Sequence, residues 1–332
     1  MESAALLGRG ALAEVWLLAD GTTALKRTKR SLLSFAKNIR AAQQEQAALE
    51  AVGDGASTHI VRLLGAAHDA DYVGLRLEAV LADGRSGLTL RALLASRSAP
   101  LPAAAAAHVG ACLLRALAHV HGRRVVHRDL SPSNVMHRAD GSPCVVDFGA
   151  ARTLAPGERA TTLCGTPDYV APEVLLRSGH GCEADCWSCG ALLFELVAGR
   201  APFAAATVAE LHGNILAATI SPPLDEVAAA APAAAALLGA LLAREPAERP
   251  TAEAAGAMDW VRDAADGEEG RRRLREAVEE AVAAGPQKGE EDDADAEEAA
   301  WAEAEREEME ERAEAAWQRL GEEERRRLFE SG

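Results

Sequence analysis

Strand-like runs in the first eighty residues are separated by turn residues. Residues 15–18 and 22–25 are two such runs, and the Asp20-Gly21 pair between them is typical of a tight hairpin turn. From residue 31 to 52 the apolar positions recur mostly at a spacing of three or four, which predicts a helix. Strand-like runs return between residues 59 and 79. The pattern predicts a small, β-rich region that contains one helix.

The pattern changes after Leu88, where longer helical runs replace the short strands. An Ala- and Leu-rich run that Pro102 opens covers residues 102–121, and further helical runs cover about 184–198 and 233–243. Loops rich in Gly, Pro, Ser and Asp fill residues 127–181. We therefore predict an α+β fold of two lobes. A small β-rich N-lobe covers about residues 1–83, and a larger helical C-lobe covers about residues 84–262.

Charge is distributed unevenly along the 332 residues, whose net charge is −16. Residues 263–332 carry a net charge of −14, and residues 1–262 are nearly neutral at −2. A protein that binds nucleic acid through its phosphates needs a basic stripe, which this sequence lacks. We interpret residues 263–332 as an acidic tail that is disordered or helical. The alternative is a partner-binding helix, because Met309, Trp317 and Leu320 could share one helical face.

Apolar stretches and cysteines limit the class of protein further. No run of 18 apolar residues is free of charge, and the first ten residues lack the basic and apolar regions of a secretory signal. Six Cys in a chain of this length do not form the dense pattern of a secreted disulfide scaffold. We therefore expect a chain that spans no membrane and lies in the cytoplasm, with nuclear entry left open.

The first candidate for chemistry is the glycine-rich segment Gly8-Arg9-Gly10-Ala11-Leu12-Ala13-Glu14-Val15. Glycine lets backbone N–H groups approach phosphate oxygens because it carries no Cβ. A Gly-x-Gly-x-x-Ala pattern also fits a dinucleotide-binding fingerprint, but that fingerprint opens a helix. Here the glycines lead into a strand and a hairpin, which argues against dinucleotide binding.

Three further motifs follow in order along the chain. They are His127-Arg128-Asp129-Leu130-Ser131-Pro132-Ser133-Asn134, Asp147-Phe148-Gly149 and Ala171-Pro172-Glu173. With the glycine-rich segment, they resemble the catalytic core of the eukaryotic protein kinases over residues 5–262. Residues 161–173, which read TTLCGTPDYVAPE, are similar to the same segment of the Ser/Thr kinases that depend on cyclic nucleotides, cAMP or cGMP.

The resemblance implies a two-lobed kinase fold and transfer of the γ-phosphate of Mg-ATP to Ser/Thr hydroxyls. It implies that Lys26 binds the α- and β-phosphates and that Glu45, on the following helix, holds Lys26 in place. It also implies that Asp147 and Asn134 bind Mg²⁺ through hard oxygen ligands. Asp129 then accepts or orients the substrate hydroxyl.

The resemblance assigns nucleotide contacts and the partner of Lys26 as well. Glu50 competes with Glu45 for that partnership, and we favour Glu45 because Leu49 then faces the core one turn later. The remaining positions that are expected to contact the nucleotide are Gly8, Arg9, Gly10, Val15, Ala24, Glu78 and Val80.

Other residues of the motifs have regulatory or structural roles by the same resemblance. Arg128 is expected to receive a phosphate on Thr162, within the activation segment of residues 150–166. Glu173 is expected to form an ion pair with Arg249. Asp185 is expected to hold the backbone of the catalytic loop.

Three positions depart from the family pattern. Ala13 replaces the third glycine of the first motif. Ser131 stands where most Ser/Thr kinases carry a lysine that touches the γ-phosphate, so we expect a slower reaction. Ser133 stands where relatives that act on basic substrates carry a glutamate, which leaves Glu195 as the candidate contact for a substrate arginine.

Three cysteines offer a competing interpretation. Cys182, Cys186 and Cys189 have, as a bare pattern, the spacing of certain iron–sulfur enzymes, and His180 could complete a zinc site. The same stretch fits a kinase helix in which small buried cysteines are ordinary. We favour the helix.

The sequence therefore predicts a Ser/Thr protein kinase that uses ATP and Mg²⁺ and acts on protein substrates in signalling. The acidic tail is a candidate contact for a regulatory subunit or partner, and we expect no nucleic acid and no membrane among the partners. The alternative is an ATP-binding pseudokinase or scaffold with weak or no phosphate transfer. Retention of the five motif residues favours the enzyme: Lys26, Glu45, Asp129, Asn134 and Asp147.

Overall fold

An antiparallel sheet of five strands forms from the runs at the start of the chain. The computed structural model describes residues 3–9, 13–29, 36–53, 58–68, 72–83 and 87–284. The Asp20-Gly21 turn lies between the second and third strands, where Gly21 has a φ of +67° and Asp20 accepts hydrogen bonds from the backbone of Thr22 and Thr23. The spatial order is β1-β2-β3-β5-β4. The strands are β1 (Ser3–Arg9), β2 (Ala13–Leu18), β3 (Thr23–Lys29), β4 (Leu63–His68) and β5 (Tyr72–Glu78).

Helix α1 (Ala36–Val52) follows β3 and contacts both the sheet and the C-terminal part of the chain. Its residues Ala48, Leu49 and Val52 are buried, so Leu49 faces the core as the sequence suggested. The predicted helix included residues 31–35, which lie outside the described residues. The helix therefore carries Glu45 between β3 and the later motifs.

Beyond residue 87 the chain is mainly helical, with short strands between the helices. Strands β6 and β9 flank β8 in one small sheet, and β7 pairs with β10 in another. The elements of this part are β6 (Leu88–Thr89), α2 (Leu90–Ala95), α3 (Ala103–Gly122), β7 (Val125–Val126), β8 (Val135–His137), β9 (Pro143–Val145), β10 (Arg152–Thr153), α4 (Pro172–Leu175), α5 (Cys182–Ala198), α6 (Val208–Ala217), α7 (Leu224–Ala230), α8 (Pro232–Leu241), α9 (Ala252–Gly256) and α10 (Glu268–Ala284).

Helices α3 and α5 form the centre of the C-lobe. Both are buried along most of their length, because their small and aliphatic side chains pack against each other and against α8 and α9. Trp187 on α5 is fully buried and stacks on Phe203 with ring centroids 5.1 Å apart. Such packing holds the loops that follow α3 and precede α5.

Helix α3 is long and apolar enough, by length and composition, to cross a membrane. In the folded chain 72% of its apolar window is buried inside the protein. This burial is typical of a core helix, so the helix is weak evidence for a membrane span.

Helix α10 belongs to the segment that we interpreted as acidic tail, and it packs on α3. Leu274, Ala277, Val278 and Ala281 are buried there, because they recur at the spacing of one helical face. A Cβ on Gly270 would lie 2.6 Å from the carbonyl oxygen of Ala104, so glycine permits the close helix crossing. Residues 268–284 are thus helical, one of the two forms expected of the tail, and their packing on α3 was not expected because net charge concealed this apolar stripe. Residues 285–332 lie outside the described residues.

The predicted two-lobed α+β fold is confirmed by this order of elements. The three helices predicted for the C-lobe begin and end within two residues of the predicted runs, at Ala103–Gly122, Cys182–Ala198 and Pro232–Leu241. The domain boundary at residue 262 stays a prediction, although α10 adds residues to the compact unit that ends at Gln287.

Candidate active site

The side chains of Lys26, Glu45 and Asp147 meet between the sheet and the loop that follows β9. The Lys26 Nζ atom lies 2.7 Å from Glu45 Oε1 and 2.7 Å from Asp147 Oδ1. Lys26 comes from β3, Glu45 from α1 and Asp147 from that loop, so three separate elements converge on one ammonium group. Glu45, and not Glu50, is the partner of Lys26, and Glu50 instead accepts a hydrogen bond from Gln46.

The ionisation of this triad follows from burial and mutual charge. Burial alone would lower the pKa of Lys26, but the Asp147 and Glu45 carboxylates outweigh it and raise that pKa. Burial would raise the pKa of Asp147, yet the Lys26 charge holds it below the usual value. Burial raises the pKa of Glu45 in spite of Lys26. Near neutral pH the site therefore keeps an ammonium group beside an ionised Asp147.

The catalytic-loop motif places Asp129 in a fixed orientation. Asp129 Oδ1 accepts hydrogen bonds from the Thr166 N–H (2.9 Å) and from its hydroxyl (2.8 Å). Asn134 Nδ2 donates to Asp129 Oδ2 (2.9 Å) and to the Asp129 carbonyl (2.8 Å). Each carboxylate oxygen can accept more than one hydrogen bond, so Oδ2 keeps a lone pair for a further donor.

The donor set near Asp147 fits Mg²⁺. Because Asn134 gives Nδ2 to Asp129, its amide oxygen Oδ1 is the atom that it can offer to a cation. The Asp147 carboxylate supplies the second kind of hard oxygen ligand. A Cβ on Gly149 would lie 2.9 Å from Asp147 Oδ1, and the Gly149 N–H donates to that oxygen, so a side chain at this position would displace the carboxylate.

Asp185 holds the backbone of the catalytic loop through hydrogen bonds. Its carboxylate is fully buried and accepts hydrogen bonds from the N–H groups of His127 and Arg128, each at 2.8 Å. His121 on α3 donates to the same carboxylate at 2.8 Å. These bonds help to hold Arg128 at a φ of +66°, a backbone conformation that is costly for residues other than glycine. The structure thus shows the backbone contacts that were expected of Asp185.

The Arg128 guanidinium keeps donor capacity for a further partner. Its Nε donates to the Ala150 carbonyl at 2.6 Å, whereas its Nη1 is buried and has no hydrogen-bond partner in the described part of the chain. Thr162, the expected phosphate carrier, is exposed. Burial of an unpaired guanidinium nitrogen is unfavourable, so an anion at Nη1 would stabilise this region.

Glu173 and Arg249 form an ion pair in which both side chains are buried. The two side chains share hydrogen bonds of 2.6 and 2.9 Å, and the Arg249 side chain is 0% exposed. Arg249 also donates to the carbonyl groups of Ala243, Glu183 and Arg244. The structure shows the expected pair, and its position beneath the end of the activation segment indicates a structural role.

The residues assigned to nucleotide contact fall into three groups. Gly8, Arg9 and Val15 lie on β1 and β2, and Gly10 lies outside the described residues. Ala24 and Val80 are buried, at the end of the sheet that leads into the C-lobe. The Glu78 carboxylate instead pairs with Arg138 (2.7 Å) and accepts the Arg62 N–H (3.0 Å). A nucleotide contact at Glu78 would therefore have to come from its backbone.

The departures from the family pattern have distinct surroundings. Ser131 is fully buried, and its hydroxyl has no hydrogen-bond partner among the described residues. Ser133 is half-buried. Both carboxylate oxygens of Glu195 are engaged, one by Arg91 (2.9 Å) and one by the Tyr169 hydroxyl (2.5 Å). A substrate arginine would have to compete with Arg91 for Glu195.

The three cysteines of α5 are buried to different extents. Cys186 and Cys189 are buried, and Cys182 is half-buried. Burial raises the pKa of Cys182 and of Cys186 to about 12, which disfavours the thiolate that a metal needs. No group of three potential ligands that could hold a metal ion occurs among the described residues. The described residues therefore offer no arrangement that supports the iron–sulfur or zinc alternative, and the helix that we favoured spans Cys182–Ala198.

No sequence motif predicted two of the interactions that support the site. His121 completes the bonds to Asp185, and Arg91 joins Glu195 to Tyr169. Both residues stand alone on helices, so only the fold brings them to their partners. Both side chains are half-buried, so burial gave no clear signal in the sequence either.

Comparisons with known proteins give a consistent picture. The protein kinase domain family matches residues 1–261. The chain is 32% identical over 217 residues to "cGMP-dependent protein kinase, isozyme 2 forms cD5/T2" of Drosophila melanogaster, an alignment that covers 64% of this chain and 22% of the relative. It is 36% identical over 215 residues to "CBL-interacting protein kinase 4" of Oryza sativa, covering 62% and 46%.

One similar protein is described as inactive. "Inactive serine/threonine-protein kinase PLK5" of Mus musculus is 39% identical over 140 residues, which cover 42% of this chain and 23% of that protein. The chain thus spans less than half the length of each of these three relatives.

Proposed function

Because this chain belongs to the protein kinase domain family, we propose that it is an active kinase that transfers the γ-phosphate of Mg-ATP to Ser/Thr hydroxyls of proteins. The observation that carries the proposal is the contact of Lys26 Nζ with both Glu45 and Asp147 at 2.7 Å. Phosphoryl transfer depends on positioning and on neutralisation of charge more than on covalent catalysis. An assembled cation–carboxylate triad supplies both.

Each residue has a defined role in this proposal. Lys26 binds phosphate oxygens, and Glu45 keeps its ammonium group in place. Asp147 and Asn134 hold Mg²⁺, which when bound neutralises charge on the phosphates. Asp129 accepts the hydrogen bond of the substrate hydroxyl through Oδ2, while Thr166 fixes Oδ1.

The direct test follows transfer of labelled γ-phosphate from ATP to a mixed library of Ser- and Thr-containing peptides. We expect label on peptide hydroxyls with the full chain and Mg²⁺, and none with the Asp129→Asn variant. Label on neither sample, while ATP still stabilises the protein against heat, would favour the second candidate.

That second candidate is an ATP-binding pseudokinase or scaffold. Ser131 favours it, because the cation that usually contacts the γ-phosphate is missing and the half-buried Ser133 nearby is uncharged. The retained carboxylates argue the other way, since a scaffold does not need Asp129 and Asp147 at all.

We also propose that phosphorylation of Thr162 orders the activation segment. A phosphate adds about −1.5 to −2 charges and binds guanidinium groups through paired hydrogen bonds. Arg128 offers Nη1, which is buried and has no partner in the described part of the chain. We expect Thr162→Ala to lower activity strongly and to leave ATP binding near normal. Full activity of Thr162→Ala protein without any phosphate on this segment would reject the switch.

A further inference from the structure

A cavity of about 610 Å³ is lined by residues of both lobes. Its walls come from the end of α1, residues 58–62, α3, the turn between β8 and β9, and the segment that leads into α10. The family match ends at residue 261, so the wall formed by Ala265, Asp266 and Arg271 lies beyond the matched domain. Ligand-binding cavities usually measure about 300–1,000 Å³.

The cavity is separate from the candidate active site. Of the described residues that we propose to contact nucleotide, metal or substrate, Glu78 alone lines it. Basic side chains outnumber acidic ones in its walls. The ionisable residues are Arg62, Arg115, Arg138, Arg271, His59, His108 and His119 against Glu78, Asp140 and Asp266.

Two of the four arginines form ion pairs with carboxylates of the cavity walls. Arg138 donates to Glu78 at 2.7 Å, and Arg115 makes two hydrogen bonds to Asp266 at 2.9 and 2.6 Å. The third carboxylate, Asp140, accepts its hydrogen bonds from the backbone and hydroxyl of Ser142.

Arg62 and Arg271 are left as donors. Within the part of the chain that the structure describes, neither guanidinium makes a hydrogen bond or an ion pair, Arg62 is exposed, and the charge of Arg271 helps to lower the pKa of Asp140 and of Asp266. The positive charges of the walls also lower the pKa values of two histidines there. Burial chiefly lowers the pKa of His108, and the charges of Arg271 and Arg115 lower it further. The pKa of His59 is lowered in the same way, by burial first and then by His108, Arg115 and Arg138.

We propose that this cavity binds a small anion that carries two or more negative charges, with Arg62 and Arg271 as its principal ligands. Guanidinium groups bind phosphate and carboxylate through paired, charge-assisted hydrogen bonds. Such a ligand also supplies hydrogen-bond acceptors to two guanidinium groups that have none among the described residues. Its size is that of a metabolite, and phosphate and carboxylate are the two chemistries that these donors recognise.

The test is calorimetric titration of the full chain with inorganic pyrophosphate in one arm and citrate in the other. All samples carry Lys26→Met, so that phosphate binding at the candidate active site does not contribute. The test pair is Arg62→Gln with Arg271→Gln. The matched control is Arg273→Gln, because Arg273 lies on the exposed face of the same helix and outside the cavity.

We expect the double variant to bind at least about tenfold more weakly than the parent, which is about 1.4 kcal/mol. The Arg273→Gln control should bind as the parent does. Binding of pyrophosphate, of citrate or of both supports the site, and the arm that responds identifies the preferred chemistry. Binding of neither, or equal binding by the double variant, overturns it. None of these readings uses phosphate transfer, so failure here is distinct from failure of the proposed function.

Discussion

Lys26 and Asp147 are 121 residues apart in the chain, yet Lys26 Nζ lies 2.7 Å from Asp147 Oδ1. The contact joins strand β3 to the loop after β9. Asp147 adopts a φ of +53° there, and the Gly149 N–H donates to the same oxygen. A non-glycine residue in this backbone conformation indicates strain that the surrounding structure maintains at a functional site. The two lobes therefore share the group that is proposed to bind phosphate.

The first prediction concerns the buried ion pair of Glu173 and Arg249. Glu173→Gln leaves the Arg249 charge buried and unpaired, so we expect a loss of about 3–5 kcal/mol in the free energy of unfolding. Urea denaturation measures it. The control is Glu245→Gln, whose partner Arg244 is exposed, and which should cost less than about 1 kcal/mol. Equal effects of the two substitutions would show that the buried pair is not structural.

The second prediction concerns helix α10. Leu274→Ala removes a side chain that is 0% exposed and should destabilise the protein by about 2–5 kcal/mol. A chain that ends at Ala284 should unfold at the same temperature as the full chain, whereas one that ends at Arg262 should unfold at a lower temperature. Thermal unfolding that is identical for all three chains would contradict the packing of α10 on α3.

The third prediction concerns Ser131. If the missing cation limits the rate, Ser131→Lys should raise kcat about tenfold or more, since tenfold corresponds to about 1.4 kcal/mol of barrier. Ser131→Ala is the control and should leave kcat near that of the parent. Steady-state kinetics with varied ATP measure both variants. An unchanged or lower kcat in folded Ser131→Lys protein would mean that another group already fills this role.

The fourth prediction concerns pH and His137. This histidine is fully buried and has no hydrogen-bond partner in the described part of the chain, and burial lowers its pKa to about 4. In the unfolded chain His137 therefore binds a proton as the pH falls below about 6.5, whereas in the folded chain it binds that proton only below a pH of about 4. Stability should fall as the pH drops through this window, by on the order of 3 kcal/mol from His137 alone.

His137→Leu should flatten this pH dependence by about one proton. The free energy of unfolding, measured in urea across the window from a pH of about 6.5 to a pH of about 4, gives the slope. His212→Leu is the control, since His212 is only partly buried and should remove less of the slope. An unchanged slope in His137→Leu protein would contradict the assignment.

The chemistry-bearing residues could be predicted because short motifs carry them. Asp129 and Asn134 lie five positions apart, and their hydrogen bonds follow from local geometry. Lys26 and Glu45 come from adjacent elements of a predictable order. The resemblance to the cGMP-dependent kinases is confirmed by the similarity of the Drosophila relative, at 32% identity over 217 residues.

The remaining features depend on long-range packing that no local pattern encodes. Arg138 donates a hydrogen bond to Glu78, which lies 60 positions away in the chain. Arg91 donates to Glu195, which lies 104 positions away. The packing of α10 was missed because its apolar stripe is mostly alanine among charged residues. Gly270, which allows the close crossing with α3, looks like an ordinary helix-weakening glycine in the sequence.

The role of Asp147 in phosphate transfer is tested most directly by the single-turnover rate of γ-phosphate transfer from ATP to peptide in Asp147→Asn protein. We expect a rate at least about a hundredfold lower than that of the parent, because Lys26 and Mg²⁺ both lose a charged partner, which corresponds to about 2.7 kcal/mol of transition-state stabilisation. Asp259→Asn, which alters an exposed carboxylate far along the chain, should leave the rate unchanged. Equal rates in Asp147→Asn and Asp259→Asn proteins would contradict the account.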